Sequence, residues 1–94
     1  MEAAEPGWGK KVGSYLAGSL SDSELFAEAA SGSDQTLADR QCEAFYYAGV
    51  MRLLRNETEA ARNLFTKCLA TNAYGNEEFA LARGELARLS PAQS

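Results

Sequence analysis

Proline stands at positions 6 and 91 of this 94-residue chain and nowhere between them. The interval is therefore free of the ring that removes a backbone donor and clashes with the preceding helical turn. Sustained period-two alternation is absent and β-branched residues are few, so strands are not expected. Apolar residues instead recur at helical spacing, and the pattern predicts an all-α fold of five helices in antiparallel hairpins. The first helix covers residues 8–17, with Trp8, Val12, Tyr15 and Leu16 on one face and Gly18 as its stop. The second opens on Ser21-Asp22-Ser23-Glu24, a capping-box pattern, and turns Leu25, Phe26, Ala29 and Ala30 inward. After a flexible Ser31-Gly32-Ser33 break, Asp34 is placed to cap a long third helix over residues 36–55. That helix is expected to bury Leu37, Cys42, Phe45, Ala48, Gly49 and Leu53. Asn56-Glu57-Thr58-Glu59 ends it and caps a fourth, whose Ala60, Ala61, Leu64, Phe65, Cys68 and Leu69 form a wide apolar stripe. Asn72 and Gly75 mark the exit, and a fifth helix over 77–89 presents Phe79, Ala82, Leu86 and Leu89. Residues 1–6 and 90–94 are expected to fray.

The chain is long enough for one domain and one modest core, and 46% apolar with 23% charged residues is a globular balance. The formal charge of −4 argues against nucleic acid, which needs a basic surface, and Lys10-Lys11 is too little for a polybasic membrane contact. No apolar run has the length of a membrane span or the look of a signal-peptide core, so the chain as given reads as soluble. Histidine is missing altogether, which removes the commonest general base and the commonest metal ligand. With no glycine-rich phosphate loop and no nucleophile–base pair, neither an enzyme nor a metal or cofactor site is expected. The acidic pairs Glu57/Glu59 and Glu77/Glu78 fall at helix starts, where the helix dipole favours them. Glu59 with Arg62, and Glu85 with Arg88, are spaced to pair along one helix. Cys42 and Cys68 make neither a C-x-x-C motif nor a four-thiolate zinc site. A disulfide between them requires Cα atoms within about 7 Å. Two buried free thiols acting as small apolar side chains is the reading that chemistry favours. Trp8, alone on an amphipathic helix, reads as core ahead of a binding anchor.

A shift of about 34 residues, one helical-hairpin repeat period, lays Cys42-Glu43-Ala44-Phe45 onto Asn76-Glu77-Glu78-Phe79 and Ala48 onto Ala82. Within residues 42–75 a bulky residue and a small pair, Phe45 then Ala48 and Gly49, precede a small, an aromatic and a small residue, Ala61, Phe65 and Cys68. Small residues at 49 and 61 let two antiparallel helices approach, and Phe45 and Phe65 fill the gaps beside them. This segment resembles a tetratricopeptide repeat. It departs from the family at Arg52, where a large apolar residue is usual, and at Ala73, where proline is frequent. The resemblance implies a right-handed array: a degenerate hairpin over 8–30, a repeat hairpin over 36–75 and a capping helix over 76–89, with Phe79, Ala82 and Leu86 continuing the repeat core.

The order of Tyr15-Leu16-Ala17-Gly18, Phe45-Tyr46-Tyr47-Ala48-Gly49, Leu64-Phe65 and Glu85-Leu86-Ala87-Arg88-Leu89 is similar to the C-terminal part of bacterial lipoproteins of the NlpI type. Those are adaptors that bring peptidoglycan hydrolases and a protease together. That resemblance implies a scaffold on the periplasmic face of the envelope, as part of a longer lipoprotein; a cytoplasmic place is equally compatible with the composition. The repeat family binds a peptide or helix of a partner in a concave groove. Carried over, the groove residues here are Glu43, Tyr46, Val50, Leu53 and Leu54, then Glu77, Ala80, Gly84, Ala87 and Arg88 one period later. Against this stands the reading that Tyr46, Val50 and Leu53 only pack in the core. Two and a half repeats is a marginal stack, so self-association, or a place inside a longer solenoid, is the alternative function.

Overall fold

The structure, a computed structural model, describes residues 8–31 and 37–89. These residues form five helices and no strand: α1 (Trp8–Leu16), α2 (Asp22–Ala30), α3 (Leu37–Leu54), α4 (Thr58–Ala70) and α5 (Glu77–Leu89). The sequence-based expectations for Asp34, and for fraying at 1–6 and 90–94, lie outside the described residues.

The helix ends follow from single residues. Gly18 takes φ +91°, and its amide and that of Ser19 return to Tyr15 O and Ser14 O, closing α1 with a Schellman motif. Asn56 does the same for α3 at φ 63°, with Asn56 N–H to Leu53 O and Glu57 N–H to Arg52 O. Asparagine tolerates this left-handed backbone because its short polar side chain bonds locally. The α2 capping box is complete: Glu24 N–H donates to Ser21 Oγ at 3.2 Å and Ser21 N–H to Glu24 Oε1 at 2.9 Å. At α4 the expected cap fails in one respect, because Glu57 occupies the N-cap with no side-chain bond to the helix. Its carboxylate instead accepts from Arg52 at 3.3 Å.

Helix α3 is the shared spine. It packs on each of the other four helices, while α1 packs on α2 and α4 on α5. The backbones of the odd-numbered helices adjoin in the order α1, α3, α5, whereas those of α2 and α4 stand farther apart, with Leu64 of α4 reaching the core shared by α1, α2 and α3. One core cluster, Tyr15, Leu25, Ala29, Ala44 and Ala48, lies between α1, α2 and α3. The other, Cys42, Ala61, Phe65, Cys68, Phe79 and Ala82, lies between α3, α4 and α5. Phe45, Leu69, Leu86 and Leu89 pack against the second cluster half-buried. Close approach of α3 and α4 is made at Gly49, where an added Cβ would lie 2.6 Å from Phe65 Cε1. The predicted inward faces need two corrections. Leu16, the last residue of α1, turns away from the side on which Tyr15 is buried and is exposed, and Ala30 is exposed at the end of α2.

Candidate protein-binding face

The predicted groove residues separate into two groups. Glu43, Tyr46, Val50 and Leu53 are engaged inside the fold. Glu43 Oε1 accepts the Trp8 indole N–H at 2.7 Å and its Oε2 accepts Asn76 Nδ2–H at 2.9 Å, so one carboxylate ties α1 and the start of α5 to α3. The Tyr46 ring lies 5.9 Å from Phe65 and 5.1 Å, edge-on, from Tyr47. Burial, and then the carboxylates of Glu85 and Glu78, push its hydroxyl pKa up. Val50 and Leu53 pack half-buried on the α3–α4–α5 cluster. Leu54, Glu77 and Arg88 face solvent, with Leu54 73% exposed, and Arg88 pairs with Glu85. Ala80, Gly84 and Ala87 are also exposed, so one side of α5 carries no partner among the described residues.

Three polar assemblies hold this face, and each rests on a residue to which the sequence reading gave no polar partner. Asn76 is the N-cap of α5: its Oδ1 accepts Glu78 N–H at 2.8 Å while its Nδ2 reaches Glu43 and, at 3.2 Å, Asp39. Asparagine directly before Glu77-Glu78 was a legible cap signal. Tyr47 donates to Glu78 Oε2 at 2.9 Å, and burial followed by this bond drives its pKa far up. Arg40 is nearly buried in α3; its guanidinium lies 5.2 Å over the Trp8 ring and donates to Glu28 O at the end of α2. Trp8 is thereby committed to the fold on both its ring and its N–H.

The two departures from the repeat pattern have local causes. Arg52 projects to Asp22 at the start of α2 and to Glu57, and Asp22 accepts the buried Tyr15 hydroxyl at 2.7 Å on its other oxygen. An apolar residue at 52 would leave that carboxylate with less compensation. Tyr15, Asp22 and Arg52 line a cleft of about 370 Å³ between the α1–α2 turn and the end of α3, with Leu20, Met51 and Arg55. Ala73 donates its N–H to Thr71 Oγ1 at 3.3 Å, a bond proline cannot make.

The pairs Glu59–Arg62 and Glu85–Arg88 form as spaced. No group of three or more acidic or cysteine side chains is placed to hold a metal, and no helix is long and apolar enough to cross a membrane, among the described residues. Comparison with protein-family models, with curated proteins and with solved structures yields no match.

Proposed function

We propose that this chain is a protein-binding module, a tetratricopeptide-like adaptor that takes a peptide or helix of a partner on the side formed by α1, α3 and α5. The observation that carries the reading is the contact order. Where alternate helices of one layer adjoin and those of the other stand apart, the array bends toward the adjoining layer and makes it concave. Its contact surface is the exposed part of the face: Leu54 at the end of α3, and Glu77, Ala80, Gly84, Ala87 and Arg88 along α5. Glu43, Tyr46, Val50 and Leu53 support that surface from beneath. The net charge of −4 favours a cationic segment as the partner. No catalytic role is proposed.

The test is affinity capture from a cell lysate with wild type and with Leu54→Ser/Glu77→Arg, both exposed positions whose change is expected to leave helical circular dichroism intact. A partner retained by wild type and lost at least about tenfold, roughly 1.4 kcal/mol, by the variant supports this face. Equal capture by both removes it.

A second reading, self-association or a place within a longer solenoid, uses the same exposed side of α5. Ala80, Leu81, Gly84 and Ala87 are exposed there, where a terminal repeat usually presents polar residues. Nothing lies within 4 Å of a Cβ built on Gly84. Sedimentation over a range of concentrations separates the two readings.

A further inference from the structure

We infer that Cys42 and Cys68 form a reversible thiol–disulfide site, closed by a small-molecule disulfide oxidant of the glutathione class, that locks α3 to α4. The inference is independent of the binding reading. Cys42 lies in the second turn of α3 and Cys68 in the last turn of α4, so the antiparallel hairpin brings them to one end. Their sulfurs are 3.1 Å apart, inside ordinary sulfur–sulfur contact, and Cys68 Sγ is also 3.1 Å from Cys42 O. A disulfide needs about 2.05 Å between the sulfurs, so closure asks for a movement near one ångström within a single hairpin. Both side chains are fully buried. Two alanines would serve packing in a stripe already built from Ala48, Gly49 and Ala61; two thiols in mutual contact add a chemistry that packing does not require.

Access comes from one direction. Asn76 Oδ1 lies 3.9 Å from Cys42 Sγ and Glu78 O lies 3.9 Å from Cys68 Sγ, so the α4–α5 connection and the first turn of α5 cover the pair. Tyr74, Gly75 and Glu77 in that cover are exposed. Opening residues 71–78 uncovers the sulfurs while α3 and α4 stay paired. Burial raises both thiol pKa values; the Cys68–Cys42 hydrogen bond opposes it at Cys42 and adds to it at Cys68. The exchange opens with a thiolate of the pair, taken as Cys42. This thiolate bonds to one sulfur of glutathione disulfide and expels a glutathione thiolate. Cys68, deprotonated in turn, attacks the Cys42 sulfur of this mixed disulfide and expels the second. The two protein sulfurs are oxidised, the two glutathione sulfurs are reduced, and the two thiol protons pass to the departing thiolates.

The test uses the intact wild-type chain, folded, across a series of reduced-to-oxidised glutathione ratios. Samples are quenched in acid, denatured, alkylated with a maleimide and weighed by mass spectrometry. The expected product is lighter by the two thiol hydrogens, carries no maleimide and no glutathione, and reverts in excess reduced glutathione. Its melting temperature rises by roughly 10 °C, since the bond closes a loop spanning 26 positions. The ratio needed for half-oxidation shifts at least about tenfold toward reduced glutathione relative to the chain in denaturant, because the native hairpin raises the effective concentration of one thiol at the other. Persistent glutathione adducts, a chain alkylated twice under conditions that oxidise the denatured form, or a lower melting temperature after oxidation each overturn the inference. Cys42→Ala and Cys68→Ala should melt at a temperature independent of the glutathione ratio. Should either fail to fold, the wild-type comparison decides alone.

Discussion

Gly49 and Gly84 are chemically identical and physically opposite. Both sit inside helices, where glycine costs about 1 kcal/mol relative to alanine. At Gly49 a methyl group would meet the buried Phe65 ring at 2.6 Å, and Phe65, fully enclosed, cannot move aside. Gly49→Ala is therefore expected to destabilise the chain by about 1–3 kcal/mol, overpacking outweighing propensity. At Gly84 the same methyl meets nothing, so Gly84→Ala is expected to stabilise by about 0.5–1 kcal/mol. Denaturant unfolding of both variants checks the contrast; a stabilised Gly49→Ala would show that α3 and α4 are not in contact there. The buried tyrosines make a second prediction. Burial, reinforced by Asp22 at Tyr15 and by Glu78 at Tyr47, raises both hydroxyls above their ordinary value. A group with a raised folded pKa contributes stability that is whole below its unfolded pKa, about 10 for tyrosine, and is lost as pH rises past it. The buried thiols act in the same direction from a lower starting pH. Melting temperature should thus decline from about pH 9 upward, and Tyr15→Phe/Tyr47→Phe should flatten the decline. An unchanged slope in the double variant would remove the tyrosine contribution.

At the scale of the element, the start of α5 depends on a single side chain. Asn76 caps the helix and binds Glu43 and Asp39 across to α3, so Asn76→Ala should cost about 1–2 kcal/mol. It should also speed amide exchange at Glu78, whose N–H it accepts. Protection at Glu78 that survives the substitution would place the cap elsewhere. The helices themselves were legible because their signals are local. Proline-free periodicity, the Ser21–Glu24 box, Gly18 and Asn56 each act within one or two turns, and the observed ends fall within about two residues of those read from them. The partners of the polar side chains were not. Glu43 reads as a groove contact along its own helix, and only the fold brings Trp8 and Asn76 onto its two oxygens. Arg40 carries no signal in the sequence that sets it apart from other charges, yet packing of α1 and α2 against α3 encloses it. Tyr46, Val50 and Leu53 occupy one helical face that serves both as support for α4 and α5 and as the floor of the proposed surface. Periodicity alone does not divide those two uses.

For the molecule as a whole, α3 joins two small cores, one with α1 and α2 and one with α4 and α5. Neither half encloses its share of α3 without the other, because Cys42 and Ala44, two positions apart, belong to different cores. The proposed function is the consequence drawn from this plan: the spine and the odd-numbered helices present one face to a partner while α2 and α4 back it. The most direct measurement is site-specific photo-crosslinking in a lysate, with a photoreactive phenylalanine analogue placed at Leu54 or Glu77 on that face and at Lys67 on α4 as the opposing control. All three positions are exposed, so none disturbs a core. The account predicts one shared crosslinked partner from positions 54 and 77 and none of it from position 67. Equal crosslinking from all three, or products containing only copies of this chain, would contradict it.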